Sequence, residues 1–238
     1  MLGYTAVGSD ETSGGQHGRG GKALEGTTDS TRLEAFSDGV FAVAITLLAL
    51  DLHVPDPHKD LPSGRDGPPH GLVHALLDQW PVYLAYGLSF LTILIMWINH
   101  HNLFRLIRRT DHVFLLLNGL LLLVVTTIPF ATSLLATYLV LPDKGAAQVI
   151  YSGAFLVMAT TYNRMWAYAS RGRRLLGAGS DEQAVRAVTQ SYRFGPLLYL
   201  IIFALAFVSA QVSLALGALL SIYFALPSTL TRGRARTR

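Results

Sequence analysis

Two groups of polar residues stand beside long apolar stretches, where charged and hydrogen-bonding side chains are unusual. Arg32, Ser37 and Asp38 open a stretch that continues as GVFAVAITLLALDL, and the segment WINHHN (97–102) closes the next apolar stretch. An ionised carboxylate inside a membrane-spanning helix is costly and normally has a partner. We therefore predict a polar network between the two groups, at one end of adjacent helices. The alternative is that both groups lie solvated at the level of the lipid headgroups.

The second group contributes Trp97, His100 and His101 to this predicted network. His100 and His101 do not indicate a metal site, because neighbours on a helix point about 100° apart and the chain has no cysteine to complete a ligand set. Ser37 has no suitably spaced base on its own helix, and neither an HExxH motif nor a nucleophile elbow occurs. The sequence therefore predicts no metal, no cofactor and no enzyme activity.

The composition places both groups in a membrane protein. Of the 238 residues, 51% are hydrophobic and 14% are charged, and the mean hydropathy is +0.38, whereas a soluble domain carries about 25% charged residues. Apolar residues dominate blocks such as 114–141 and 197–226, and apolar runs of about 18 residues or more indicate membrane-spanning helices. These features predict an all-α, polytopic membrane protein.

About six helices of membrane length are expected. The Thr-x-x-Glu pattern at 31–34 is typical of a capping box, so the first helix is expected to begin there and to end near Pro55. The residues from 55 to 78 are rich in Pro, Gly and Asp and predict a loop, and a polar segment is expected between the fourth and fifth spans. The remaining spans are predicted at 80–104, at 112–139 with Pro129 inside, at 147–169, and twice in the last apolar stretch, with a break near 209–211.

The chain divides into three segments. Residues 1–29 lack an apolar core and predict a disordered tail, residues 30–230 form the transmembrane domain, and residues 231–238 form a basic tail. With six spans, 16 of the 19 Lys and Arg residues lie on the side of the N-terminus, so both termini are predicted to be cytoplasmic. The basic tail is expected to contact the lipid bilayer and not nucleic acid, because no aromatic residue interleaves its arginines.

The first helix carries an apolar stripe. Residues placed 100° apart gather on one broad face of this helix, and small residues beside that face would let another helix approach closely. Ordinary packing within a helix bundle is the simpler interpretation of both faces. The members of the stripe are Phe36, Gly39, Val43, Thr46, Leu47, Leu50 and Val54.

The same residues resemble a known family. Arg32-x-x-x-Phe36-Ser37-Asp38 is similar to the signature that opens the first helix of the transmembrane protein 175 potassium channels, and Trp97-x-x-His100-His101 is also similar to that family. The segment IPFAT (128–132) agrees with its single-repeat prokaryotic members. The resemblance extends from Arg32 to the end of the last span.

The resemblance implies a potassium-permeable, leak-type channel in the cell membrane, in which the first helices of four repeats line the pore. Since this chain carries one copy of the motif, it implies a homotetramer held together by the Arg/Phe/Ser/Asp motif. Val43 would form the narrowest apolar ring, Thr46 a layer of hydroxyl groups and Leu50 a further ring, with Leu47 on the same stripe. The family usually has Ile or Leu at the position of Val43, so a wider ring and weak to moderate K⁺ selectivity are expected.

Other classes of membrane protein remain as alternatives. A secondary transporter is disfavoured because the chain has no internal repeat and its first helix has no proline break. A proton-permeable channel of the same topology and a non-catalytic membrane scaffold are the further alternatives. No TVGYG filter is present, so selectivity would arise from dehydration at an apolar ring.

Overall fold

The computed structural model describes residues 17–55, 72–177 and 182–225, and nearly all of the regular structure in these ranges is helical. A short 3₁₀ turn extends the first helix to Asp51. The α-helices are α1 (His17–Leu47), α2 (Leu72–Asp78), α3 (Trp80–Phe104), α4 (His112–Tyr138), α5 (Lys144–Ser170), α6 (Glu182–Arg193), α7 (Gly195–Ala206) and α8 (Ala210–Ala225).

Four of the described helical segments have the length and hydropathy to cross a membrane, which confirms an all-helical membrane protein. The apolar helix α8 has only 16 residues, and α5 is long enough with 27 residues but contains many polar side chains. Length and hydropathy alone therefore do not reach the expected number of six spans. The four segments are Ser30–Asp51, Trp80–Phe104, His112–Tyr138 and Val185–Ala206.

Helix α5 tolerates polar residues because much of it is packed against other helices. It packs against α4, α7 and α8, and its polar side chains hydrogen-bond to residues of α3, α6 and α8. The Gln148 amide donates to the Ser213 hydroxyl at 2.9 Å, and the hydroxyls of Tyr151 and Ser89 are 3.1 Å apart. Because hydrogen bonding offsets the cost of burying polar groups, a helix at the centre of the bundle can be more polar than one that faces lipid.

Most of the predicted helix boundaries are confirmed. Helix α3 has the predicted limits, α4 continues through Pro129, and the last apolar stretch breaks between Ala206 and Ala210. A helix tolerates an internal proline when neighbouring groups satisfy the freed carbonyl.

The predicted start of the first helix is wrong. Helix α1 begins at His17, so residues 31–34 lie inside it and their N–H groups need no capping box. Residues 22–25 (KALE) are good helix formers. Residues 26–30 (GTTDS) are weaker ones, but weak propensity does not end a helix that continues into an apolar span. The prediction of a disordered tail therefore now applies only to residues 1–16, which lie outside the described residues.

Two further expectations for connecting segments are corrected. The predicted loop at 55–78 contains α2, because Pro, Gly and Asp are concentrated in residues 56–71, outside the described part, while LVHALLD consists mostly of good helix formers. The polar segment before Tyr192 contains α6, an amphipathic helix whose Val185, Val188 and Tyr192 pack on the core. Its apolar residues recur at helical spacing, but the polar residues between them mask this pattern in the mean hydropathy of the segment.

Asp111 fixes the start of α4. Its carboxylate accepts a hydrogen bond from the backbone N–H of Phe114 at 2.9 Å and one from the Tyr168 hydroxyl of α5 at 2.7 Å. Burial raises the pKa of Asp111, but these hydrogen bonds and the Arg174 guanidinium, 3.5 Å away, together lower it below the ordinary 3.8. The carboxylate therefore contributes stability above about that pH and loses it as the pH falls through the lowered pKa.

We expect Asp111→Ala to lower the free energy of unfolding by about 1 kcal/mol, because it removes the N-terminal cap of α4. Asp143→Ala is the matched control, since Asp143 occupies the corresponding position of α5 but its side chain makes no capping hydrogen bond. Thermal unfolding of the purified variants in neutral detergent measures both. Equal destabilisation by the two substitutions would contradict a specific capping role for Asp111.

Candidate functional site

One face of α1 is packed into the subunit. Ser37, Phe41, Ala44 and Leu48 repeat at spacings of four, three and four, and each is at most 1% exposed. This spacing places them along a single stripe, which packs against α3 and α4. The rotation of α1 about its axis is thus determined by contacts within one chain.

The opposite face of α1 is apolar and exposed in the single chain. Val43 is 54% exposed, Leu47 41% and Leu50 75%, and Thr46 is exposed beside them. The Thr46 hydroxyl donates to the carbonyl of Val43 at 2.9 Å. Its proton is therefore directed at its own helix, and its oxygen lone pairs remain available on the exposed face.

Three buried polar side chains join α1, α3 and α4. The Ser37 hydroxyl donates to the carbonyl of Leu33 at 2.8 Å, so its oxygen accepts from the Asn118 amide at 3.0 Å. The Asn118 carbonyl oxygen in turn lies 3.0 Å from Nε2 of His100. Since that oxygen can only accept, Nε2 of His100 carries a proton and donates it.

Aromatic rings enclose the His100 imidazole. Its centroid lies 5.3 Å from that of Phe41 and 4.5 Å from that of Phe104, and the side chain is fully buried. Among the described residues, Nδ1 of His100 has no hydrogen-bond partner, and no group of three or more potential metal ligands occurs. Packing against the two rings and the hydrogen bond to Asn118 thus hold the imidazole in place.

A second pair of contacts lies beside the buried network. The indole N–H of Trp97 donates to the Asp38 carboxylate at 2.9 Å, and Nδ1 of His101 lies 2.9 Å from the Glu34 carboxylate. The rings of Trp97 and His101 are stacked with centroids 6.2 Å apart. These contacts add a second connection between α1 and α3 next to the buried network.

Five of the seven predicted network residues form contacts between α1 and the facing helices or between those helices, namely Ser37, Asp38, Trp97, His100 and His101. The other two, Arg32 and Phe36, lie outside the network. No contact in the described part joins Asp38 to Arg32, which is exposed, and Phe36 is 65% exposed. Sequence reasoning missed Glu34, which it assigned to a capping box, and Asn118. The signal for Asn118 was its position as the single amide within an apolar run, LLLNGLLLL.

Comparison with known proteins identifies the family of this chain. Residues 32–129 match the family described as endosomal/lysosomal potassium channel TMEM175. The chain is 50% identical to a potassium channel of Chamaesiphon minutus, over 84% of this chain and 96% of that protein. It is 43% identical to a potassium channel of Streptomyces collinus, over 82% of this chain and 91% of that protein.

A solved structure gives the same result. The crystal structure of a lysosomal potassium-selective channel TMEM175 homolog from Chamaesiphon minutus superposes with a TM-score of 0.74 at 48% identity, covering 83% of this chain and 97% of that one. The protein is therefore a multi-pass membrane protein of a channel class, and not an enzyme. It belongs to the TMEM175 family.

We expect Asn118→Ala to lower the free energy of unfolding by about 2–4 kcal/mol. The substitution leaves the buried Nε2–H of His100 without an acceptor and opens a cavity, and an unsatisfied buried polar group alone costs about 1–3 kcal/mol. Asn102→Ala is the control, because Asn102 is exposed at the end of α3. Thermal unfolding in neutral detergent compares them, and an unchanged midpoint for Asn118→Ala would show that the network does not stabilise the fold.

Proposed function

We propose that four copies of this chain assemble into a potassium-permeable leak channel whose pore is lined by α1. The observation that carries the proposal is the exposed apolar face of α1, with Val43 54% exposed, on the side opposite the buried network. A helix whose other face is fixed in its own subunit presents this face either to lipid or to further copies. The similarity to two potassium channels at 50% and 43% identity supports potassium as the permeant ion.

In this proposal six helical segments cross the membrane: α1, α3, α4, α5, α6 with α7, and α8. Although α5 is more polar and α8 is shorter than the other spans, both pack against neighbouring helices. Both termini lie in the cytoplasm, since 16 of the 19 basic residues then fall on that side. The bacterial relatives favour the cell membrane as the location.

The proposed constriction is an apolar ring at Val43. A cation that crosses such a ring must shed water or wait until the ring is wetted. The Thr46 hydroxyls follow one turn further, and because their protons are directed at the carbonyl of Val43, they present oxygen atoms to a passing cation. Leu47 lies on the same face, and Leu50 forms a second apolar ring.

The width of the Val43 ring bears on selectivity. Valine is smaller than the isoleucine or leucine that the resemblance leads one to expect, so four valines leave a wider opening. A wider ring removes less of the hydration shell, and we therefore propose weak to moderate discrimination of K⁺ against Na⁺. Protons are a further permeant ion to be measured alongside both cations.

The two motif residues that stand outside the network have a role in this proposal. Arg32 and Phe36 are exposed on the single chain, and they would contact the neighbouring copy at one end of the pore. Half-buried Asp38 and buried Ser37 would then hold α1 at the angle at which these contacts form. The motif thus divides into residues that position the helix and residues that join the subunits.

The assembly prediction uses the absence of cysteine from the chain. Native mass measurement should show four chains. A single cysteine at Ala42 or Ala49, both exposed on α1, should form a disulfide between copies, whereas Ala44→Cys should not, because Ala44 is fully buried within its subunit. A monomer that conducts, or cross-linking only through Ala44→Cys, would contradict the assembly.

The gate prediction compares two positions on α1. Val43→Asn should raise K⁺ flux into liposomes and reduce discrimination against Na⁺, because it supplies hydrogen-bonding groups to the ring. A barrier lower by ~1.4 kcal/mol gives about a tenfold higher flux. Val43→Met should narrow the ring and reduce flux.

Leu48→Met is the matched control for the gate, since Leu48 is fully buried against its own subunit. It should change stability more than permeation. Permeation that responds to Leu48→Met and not to either Val43 variant would show that α1 is rotated relative to this proposal. Flux against a gradient would instead favour a secondary transporter, and a proton current exceeding that of K⁺ would favour a proton channel.

A further inference from the structure

The segments that follow α3 and α5 are joined by backbone hydrogen bonds into a small structure, which we call the arginine clasp (residues 105–111 and 171–177). The N–H of Arg108 donates to the carbonyl of Leu175 at 2.9 Å. An antiparallel bridge lies beside this hydrogen bond. Two connections that are far apart in sequence are therefore held together at one end of the bundle.

The clasp is anchored by apolar residues. Ile107, Leu175 and Leu176 are 2%, 3% and 7% exposed, so the two segments are fastened to the core. To reach these positions the chain turns sharply after α5, with Gly172 and Arg173 both in the left-handed region (φ 62° and 56°). Glycine adopts such a conformation without a steric cost, whereas arginine does so only where its surroundings impose it.

The outer surface of the clasp is strongly basic. Each of its six arginines is exposed, and the backbone hydrogen bonds hold the two sets of three next to one another. Like charges gathered in this way repel each other unless counter-charges are present. The six are Arg105, Arg108, Arg109, Arg171, Arg173 and Arg174.

Few carboxylates balance these charges within the described residues. Asp111 lies 3.5 Å from Arg174, and Glu182 lies 3.8 Å from Arg173 but is also paired with Arg186 at 2.7 Å. Arg108 and Arg109 use their backbone N–H groups in the clasp, and their guanidinium groups make no ion pair within the described part of the chain. The clasp thus keeps an excess of positive charge.

An exposed apolar surface begins directly beside the clasp. Val113, Leu116 and Leu120 lie on one face of α4, within its first three turns, and are 45%, 60% and 46% exposed. A ligand that satisfies both surfaces needs an anionic group and apolar chains within one molecule. Guanidinium groups bind phosphate oxygens in a bidentate manner, and basic surfaces at the ends of membrane helices attract anionic lipids.

We propose that the arginine clasp binds the phosphate headgroup of an anionic phospholipid, with the acyl chains lying along the exposed face at the start of α4. The lipid supplies the negative charge that the clasp lacks, and it braces the connection between α3 and α4 against the end of α5. This inference depends on the chain spanning a membrane and is independent of which ion the protein conducts.

The full-length protein, purified in neutral detergent, is titrated with phosphatidylglycerol or with zwitterionic phosphatidylcholine, and its thermal unfolding midpoint is followed. We expect phosphatidylglycerol alone to raise the midpoint. In Arg108→Gln with Arg109→Gln, the lipid concentration that gives half of this rise should increase at least fivefold. The midpoint without lipid should stay unchanged, because the backbone hydrogen bonds of the clasp remain.

A second double variant, Arg164→Gln with Arg193→Gln, removes the same charge from exposed positions of α5 and α6 outside the clasp and should keep the response to phosphatidylglycerol. Arg108→Lys with Arg109→Lys retains the charge without the bidentate geometry and should respond between the wild type and the Gln variant. Equal losses in the clasp and control Gln variants would overturn the proposal in favour of diffuse attraction. An equal rise with phosphatidylcholine would also overturn it, and so would an equal rise with inorganic phosphate, which would indicate a site for free anions.

Discussion

The hydrogen bond between Ser37 and Asn118 determines which side of α1 faces its own subunit. Ser37 already donates to the carbonyl of Leu33, so its oxygen can only accept, and this choice orients the Asn118 amide and then the His100 ring. Each of the three groups is buried, and an unpaired polar group in apolar surroundings is costly. Rotation of α1 would break this chain of donors and acceptors. Because the network holds one face of α1 inward, the face with Val43 and Leu50 is exposed in the single chain.

The same requirement shapes the other half of the subunit. Thr132 and Tyr151 meet at the Ser89 hydroxyl between α4, α5 and α3, and Thr92 pairs with Ser221 between α3 and α8. Short hydroxyl side chains can form such contacts only where the helix backbones approach closely. Gly153 of α5 likewise allows two helices to approach closely, since a Cβ there would lie 3.2 Å from the Phe203 ring of α7.

Charge is segregated from this polar interior. The buried networks use hydroxyl, amide and imidazole groups, while the carboxylates of Asp38 and Glu34 lie outside them and are held by Trp97 and His101. The arginines of the clasp lie in the connections that follow α3 and α5, where Asp111 links the start of α4 to α5 through Tyr168. Buried hydrogen bonds therefore join the helices in the interior, and most charged side chains lie outside these networks.

Much of this protein can be predicted from its sequence. Long apolar runs identify α3 and α4 with their boundaries, because the bilayer requires a minimum length of apolar helix. The motif at Arg32, Phe36, Ser37 and Asp38 resembles the family's signature, and the proposed function takes α1 as the helix that lines the pore. Hydropathy is a weaker guide to helices such as α5 and α6, because it does not register the hydrogen-bond partners of their polar residues.

The tertiary structure decided which polar residues are partners. Asn118 and Glu34 became network residues only when α4 and α3 were placed beside α1, since a hydrogen bond depends on distances between atoms far apart in sequence. The separation of Leu48 from Val43 into a buried and an exposed position follows from the same packing. Sequence periodicity supplies a stripe along a helix, but the choice of the face that turns inward is made by the side chains of neighbouring helices.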